Sequence, residues 1–120
     1  MNKKILIIND QEDNYEPLKS ILEDFYPLIL TRTAEAGLDV LKNSGRNIAV
    51  IFIEGNDTEL LDEIKKHYPD SPVIITAGHN FEETAKALNN GAADYILKPF
   101  KSEDVLKAVK TYFIEEKNDT

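Results

Sequence analysis

Ile48-Ala49-Val50-Ile51-Phe52-Ile53-Glu54 is the stretch on which the fold turns. Six apolar residues, most of them β-branched or aromatic, run without a polar break and then meet a carboxylate. A strand with one wet face alternates apolar and polar residues, whereas a strand covered by helices on both faces reads as a continuous apolar run. The segment is therefore expected to be a central strand of a parallel sheet. Glu54 at its end needs a partner, because a carboxylate taken out of water without one is costly.

Four further short apolar runs flank it: Lys4–Ile8, Leu28–Thr31, Val73–Thr76 and Tyr95–Leu97. Between the runs lie amphipathic stretches of helical period. Tyr15–Phe25 sets Leu18, Ile21, Leu22 and Phe25 on one face, with Pro17 tolerable in a first turn. Thr33 is placed to cap a helix reaching about Asn43, with Leu38 and Leu41 turned inward. Leu60, Leu61 and Ile64 mark a third helix, capped by Asp57 or Thr58. Glu82–Asn90 reads as a fourth, stopped by Gly91. Ser102, Glu103 and Asp104 open a fifth that carries Val105, Leu106, Val109 and Phe113. The order βαβαβαβαβα with right-handed crossovers gives a doubly wound α/β sheet of five parallel strands. The expected strand order is 2-1-3-4-5, with the switch point between the first and third strands and the ligand crevice at their carboxyl ends.

The chain has 120 residues and no cysteine, 42% apolar and 30% charged, with a formal net charge of −8. That is the size and composition of one globular domain, spanning 1–120. Disulfides, thiol catalysis and thiolate metal sites are excluded. No basic stripe suits nucleic acid, so a protein partner is expected and nucleic acid is not. Ile5–Ile8 is too short for a secretory core of roughly 7 to 15 residues or a membrane span of about 20. No membrane association and a cytoplasmic setting are expected.

The carboxyl ends of the strands collect the chemistry. The first ends in Asn9-Asp10-Gln11-Glu12-Asp13, the third in Glu54, the fourth in Thr76 and the fifth in Lys98-Pro99. Carboxylates suit Mg²⁺, and an ammonium with a hydroxyl suits a phosphoryl group or a carboxylate. Asp10 and Asp13 also suit plain helix-start charges. The acidic loop after the first strand argues against a flavin or nucleotide-phosphate cradle, and the chain has no Gly-rich or Walker loop. His67 and His79 have no metal-ligating or triad spacing.

The segment Gly91-Ala92-Ala93-Asp94-Tyr95-Ile96-Leu97-Lys98-Pro99-Phe100 is very similar to the GAxDYLxKPF signature of response-regulator receiver domains in two-component signalling. ILIINDQEDN resembles the family's first strand and acidic loop, and SPVIITA its fourth strand. The resemblance spans essentially the whole chain and implies a flavodoxin-like (βα)5 fold that is not an enzyme. It implies that Asp10 is a metal ligand and that Asn9 replaces a neighbouring acid. Thr76 and Lys98 would meet a phosphoryl group, with a cis bond between Lys98 and Pro99. Tyr95 would be the switch aromatic, and the face of the fourth helix, fifth strand and fifth helix would receive a protein partner.

Three departures redirect that expectation. Glu54 stands where the family carries its phosphoacceptor Asp, Gln11 replaces an acid, and about five residues are missing after Glu54. Glu is one methylene longer than Asp, and phosphoryl transfer needs reacting atoms held close to alignment. The expectation is an atypical receiver, a phosphorylation-independent interaction module. In it Glu54 pairs with Lys98 and fills the phosphoryl position with about −1 charge where a phosphoryl group carries about −1.5 to −2. No cofactor is expected; weak Mg²⁺ through Asp10, Glu54 and the Asn56 carbonyl stays open. Two alternatives stand beside it. One is a working phospho-receiver using Glu54 or Asp57; the other is a small Mg²⁺-dependent phosphatase with Asp10 as nucleophile and Glu12 as acid/base. Glu115–Thr120 reads as a short polar tail.

Overall fold

A computed structural model describes residues 3–114; the polar tail 115–120 lies outside the described residues. The strands are β1 (Lys4–Ile8), β2 (Leu28–Thr31), β3 (Ile48–Glu54), β4 (Val73–Ala77) and β5 (Asp94–Leu97). They alternate with α1 (Glu12–Leu22), α2 (Ala34–Ser44), α3 (Thr58–His67), α4 (Phe81–Asn89) and α5 (Ser102–Tyr112), and a 3-10 turn at Gly45–Asn47 precedes β3. All strand pairs are parallel, in the order β2-β1-β3-β4-β5, the order expected from the sequence.

Each central strand is buried on both faces because helices cover both. Ile5 and Ile7 of β1, Val50 and Phe52 of β3, Ile74 and Ile96 pack against Leu18 and Leu22 of α1 and Val105 and Val109 of α5. The intervening Leu6, Ile8, Ile51, Ile53 and Ile75 pack against Leu41 of α2, Leu61 and Ile64 of α3 and Ala87 of α4. One irregularity sets this pattern. Lys4 pairs with Ile48 but Ile5 pairs with Val50, so β3 carries one extra residue. A one-residue insertion turns every following side chain to the other face of the sheet. Val50, Phe52 and therefore Glu54 thus share a face with Ile5 and Ile7.

Caps follow local chemistry. Thr33 Oγ1 accepts from the Ala36 N–H at 3.0 Å, and Asp57 Oδ1 accepts from the Leu60 N–H at 3.3 Å. Gly91 closes α4 at φ 108°, a backbone that a side chain would strain. Helix boundaries differ from the sequence reading at α1 and α4. α1 begins at Glu12, so Pro17 lies inside the helix rather than in its first turn. The Asp13 carbonyl that loses its donor to Pro17 belongs to an exposed residue, where water can serve it. The same helix ends at Leu22, which leaves Phe25 in the following turn and exposed rather than on the inner face. α4 starts at Phe81 because Asn80 Oδ1 accepts from the Glu83 N–H at 3.1 Å. Among the described residues no helix is long and apolar enough to cross a membrane.

Candidate functional site

Strand alternation builds the site. Asn9 extends the Ile5, Ile7 series, Glu54 the Val50, Phe52 series, Thr76 follows Ile74 and Lys98 follows Ile96. Glu54 lies beside Thr76 and Thr76 beside Ile96 in the ladder, and the Lys98 N–H continues it to the Ala77 carbonyl at 2.9 Å. Four strands therefore deliver four polar side chains to one point, on the α1/α5 side of the sheet at the switch point.

Glu54 is the centre. Lys98 Nζ lies 2.9 Å from both carboxylate oxygens. Thr76 Oγ1 donates to Oε2 at 3.0 Å and Asn9 Nδ2 donates to Oε1 at 3.1 Å. Two oxygens offer about four lone-pair positions, so this carboxylate is close to saturated. Thr76 and Asn9 are 1% and 5% exposed, and the side chains of Glu54 and Lys98 are 20% and 31% exposed. No described buried side-chain polar atom lacks a partner. The ion pair expected from the sequence is present, and it is a bidentate one set in a half-dry pocket.

Asn9 has a defined orientation. Its Oδ1 accepts the Gln11 N–H at 2.9 Å, so its amide nitrogen must be the atom that faces Glu54. Reversal would set two oxygens against each other and an N–H against an N–H. The shortened loop adds a backbone constraint. Gly55 N–H donates to the Thr76 carbonyl at 2.9 Å, and a Cβ on Gly55 would lie 3.2 Å from that same oxygen.

The other candidates stand apart from this cluster. Asp10 is exposed and accepts from Gln11 Nε2 at 3.2 Å; Glu12 is exposed in the first turn of α1. Asn56 is exposed, and Asp57 is occupied as the α3 cap. Tyr95 sits on the other face of β5, beside Ile75, and is 40% exposed. Lys98–Pro99 is cis. His67 lies at the end of α3, 3.3 Å from Glu63, and His79 is exposed after β4. Among the described residues no group of three or more His, Cys, Asp or Glu side chains could hold a metal ion. A hard cation such as the Mg²⁺ implied by the receiver resemblance wants free oxygen lone pairs. Here an N–H points at Glu54 from the strand-1 side and the carboxylate's positions are taken, so the residues present do not fit that ion.

Sequence reading anticipated Lys98 against Glu54 but missed Asn9 and Thr76 as donors to the same carboxylate. The signal was the shared parity of residues at strand ends, hidden by the extra residue in β3. Asn80 was also missed as the α4 cap, although Asn80 followed by Glu83 three residues on is a cap pattern.

Fold and site define a flavodoxin-like α/β domain with an acid–base pocket at its switch point. Comparison with known proteins gives the family. The response regulator receiver domain matches residues 5–110, and the chain belongs to that family. The chain is 34% identical over 110 residues to the nitrogen assimilation regulatory protein NtrX of Azorhizobium caulinodans, covering 86% of this chain and 24% of that protein. It spans about a quarter of the length of the NtrX-like relatives and about half that of the C4-dicarboxylate response regulators it matches. The crystal structure of the NtrX receiver domain from Brucella abortus superposes with a TM-score of 0.84 at 28% identity, covering 92% of this chain and 98% of that one. A CheY-like receiver domain protein from Methanospirillum hungatei gives 0.79 at 30% identity, covering 92% and 93%.

Proposed function

We propose that this chain is an atypical receiver domain that works without phosphorylation, as a cytoplasmic protein-interaction module in two-component signalling. The observation that carries the reading is the engaged carboxylate of Glu54, which already holds the hydroxyl of Thr76 and the ammonium of Lys98. Those two groups are the ones that the family resemblance assigns to an incoming phosphoryl group. A nucleophile must offer a lone pair to the donor, and each oxygen of Glu54 is committed to two donors. The added methylene and the short Gly55-Asn56-Asp57 loop further displace any attack from alignment.

The surface for a protein partner is α4, β5 and α5. Phe81 is 73% exposed, and Tyr95 and Leu97 are partly exposed along this edge. Asp94, Asp104, Lys107 and Thr111 border a groove between β5 and α5 and set both charges around Tyr95 and Leu97. Aromatic anchors inside a polar rim are the usual anatomy of a protein interface.

The test is a nitrogen–proton NMR spectrum recorded free, with Mg²⁺ and with Mg²⁺ plus beryllofluoride, beside intact-mass analysis after incubation with a small-molecule phosphodonor. The expected result is an unchanged spectrum around Glu54, Thr76, Lys98 and Tyr95 and an unchanged mass. A phosphoryl adduct, or large shifts on adding beryllofluoride, would establish a working phospho-receiver instead.

A further inference from the structure

The Asn9 side chain has a role that its loss of charge does not by itself explain. Facing carboxylates from β1 and β3 would repel at hydrogen-bond distance, and such a pair is held together by a shared proton or a cation. Asn9 removes the repulsion and adds an attractive contact, with Nδ2 3.1 Å from Glu54 Oε1. Its orientation is fixed from behind by the Gln11 N–H on Oδ1. It is 5% exposed, so the contact is partly shielded from water, where a hydrogen bond to a charged group is worth more than at the surface.

We infer that Asn9 is the positioning residue that makes this pocket independent of metal: its amide N–H satisfies the Glu54 oxygen on the β1 side, where a second carboxylate would need a cation. The inference rests on the reading of Glu54 as a permanently engaged carboxylate and identifies what permits it. Replacing Asn9 by Asp then has two consequences. The Nδ2 donor is lost and two carboxylates face one another. Those two carboxylates supply hard oxygen ligands of the kind Mg²⁺ takes.

The experiment follows the thermal midpoint of the wild type, Asn9→Asp and the double variant Asn9→Asp/Glu54→Gln, each in chelator and across a millimolar Mg²⁺ titration. The paramagnetic broadening of amide signals by Mn²⁺ is recorded in parallel. The wild type should show no saturable response. Asn9→Asp should melt several degrees lower in chelator and recover saturably with Mg²⁺, with Mn²⁺ broadening confined to residues around positions 9, 10 and 54. The double variant should lose that response, because one of the two facing carboxylates is gone. A saturable Mg²⁺ response in the wild type overturns the inference. So does an Asn9→Asp protein, folded or unfolded in chelator, that Mg²⁺ does not rescue, or a double variant that responds as strongly as the single one. No phosphodonor is present, so a phosphoryl adduct on the wild type in the separate test would sink the functional reading while leaving this result standing.

Discussion

The pocket at Glu54 and the edge at Tyr95 lie on strands only two places apart in the sheet, yet they are opposite kinds of surface. In the pocket, side chains from β1, β3, β4 and the end of β5 satisfy one another, and Thr76 and Asn9 are almost fully buried. At the edge, Tyr95 and Leu97 are 40% and 37% exposed on β5, which among the described residues has no strand beyond it. The difference follows from position in the sheet. β3 has neighbours on both sides, so its terminal side chain meets partners from the same protein. β5 has one neighbour, and Tyr95 and Leu97 on it keep part of their surface open. The pocket carries stability and the edge carries availability.

Lys98→Ala should break this contrast most strongly. It leaves Glu54 with the two neutral donors Asn9 and Thr76 in a pocket where the carboxylate is mostly buried. Removing one partner of a fully buried pair costs about 3–5 kcal/mol; the partial exposure of both side chains reduces the expectation to about 2 kcal/mol. The urea midpoint measures it, with an unchanged slope as the sign that only stability moved. In a Glu54→Gln background the same Lys98→Ala change should cost far less, since no charge is then stranded. Equal cost in both backgrounds would mean that Lys98 acts through its aliphatic stem and not through the pair.

Tyr95→Ala is the counterpart at the edge. The side chain is 40% exposed, and its backbone ladder to Ile75 does not depend on the ring. Truncation should change stability by about 0.5 kcal/mol or less. A loss matching that of Lys98→Ala would show that the ring is built into the fold, and the edge would cease to be a free surface.

How far the sequence carried this contrast depends on the residue. The apolar run Ile48–Ile53 identified a doubly covered central strand, and the alternation with helical stretches gave a doubly wound parallel sheet, for which 2-1-3-4-5 is a common five-strand order. The ends of α1 were less legible. Pro17 reads as a first-turn residue, whereas an exposed helix face lets water replace the bond that proline removes. At the site, Glu54 and Lys98 stood out as charges at strand ends. Asn9 was marked only by the family resemblance, since a neutral residue after a strand carries no charge signal. That it faces Glu54 depends on the extra residue in β3, which flips the parity of everything after Ile48. Such an irregularity comes from pairing between strands distant in sequence, and neither strand shows it alone.

Lys65 sharpens the contrast from a third place. Unlike Lys98, its ammonium is bonded to a carbonyl, that of Ser71 at 2.7 Å, and its stem packs against Gly91 at the end of α4. Partial burial pushes its pKa below the ordinary 10.5, and the charge of Asp70 offsets this only in part. A lysine with a depressed folded-state pKa releases its proton at lower pH when folded than when unfolded. Between the folded value and 10.5 the unfolded chain binds more protons, so the stability contributed by Lys65 rises with pH across that window and is lowest at neutral pH. The neutral amine still has an N–H for the Ser71 carbonyl, so the hydrogen bond survives while the desolvation cost falls away. Lys65→Met keeps the packing and removes the titration. Wild-type stability minus that of Lys65→Met, from urea midpoints at neutral and at alkaline pH below 10.5, should therefore increase with pH. The effect is the smallest of the three because the group is only partly buried. A difference that falls with pH would mean that Asp70, not desolvation, dominates the ammonium, and Lys65 would then belong with Lys98 as a paired cation.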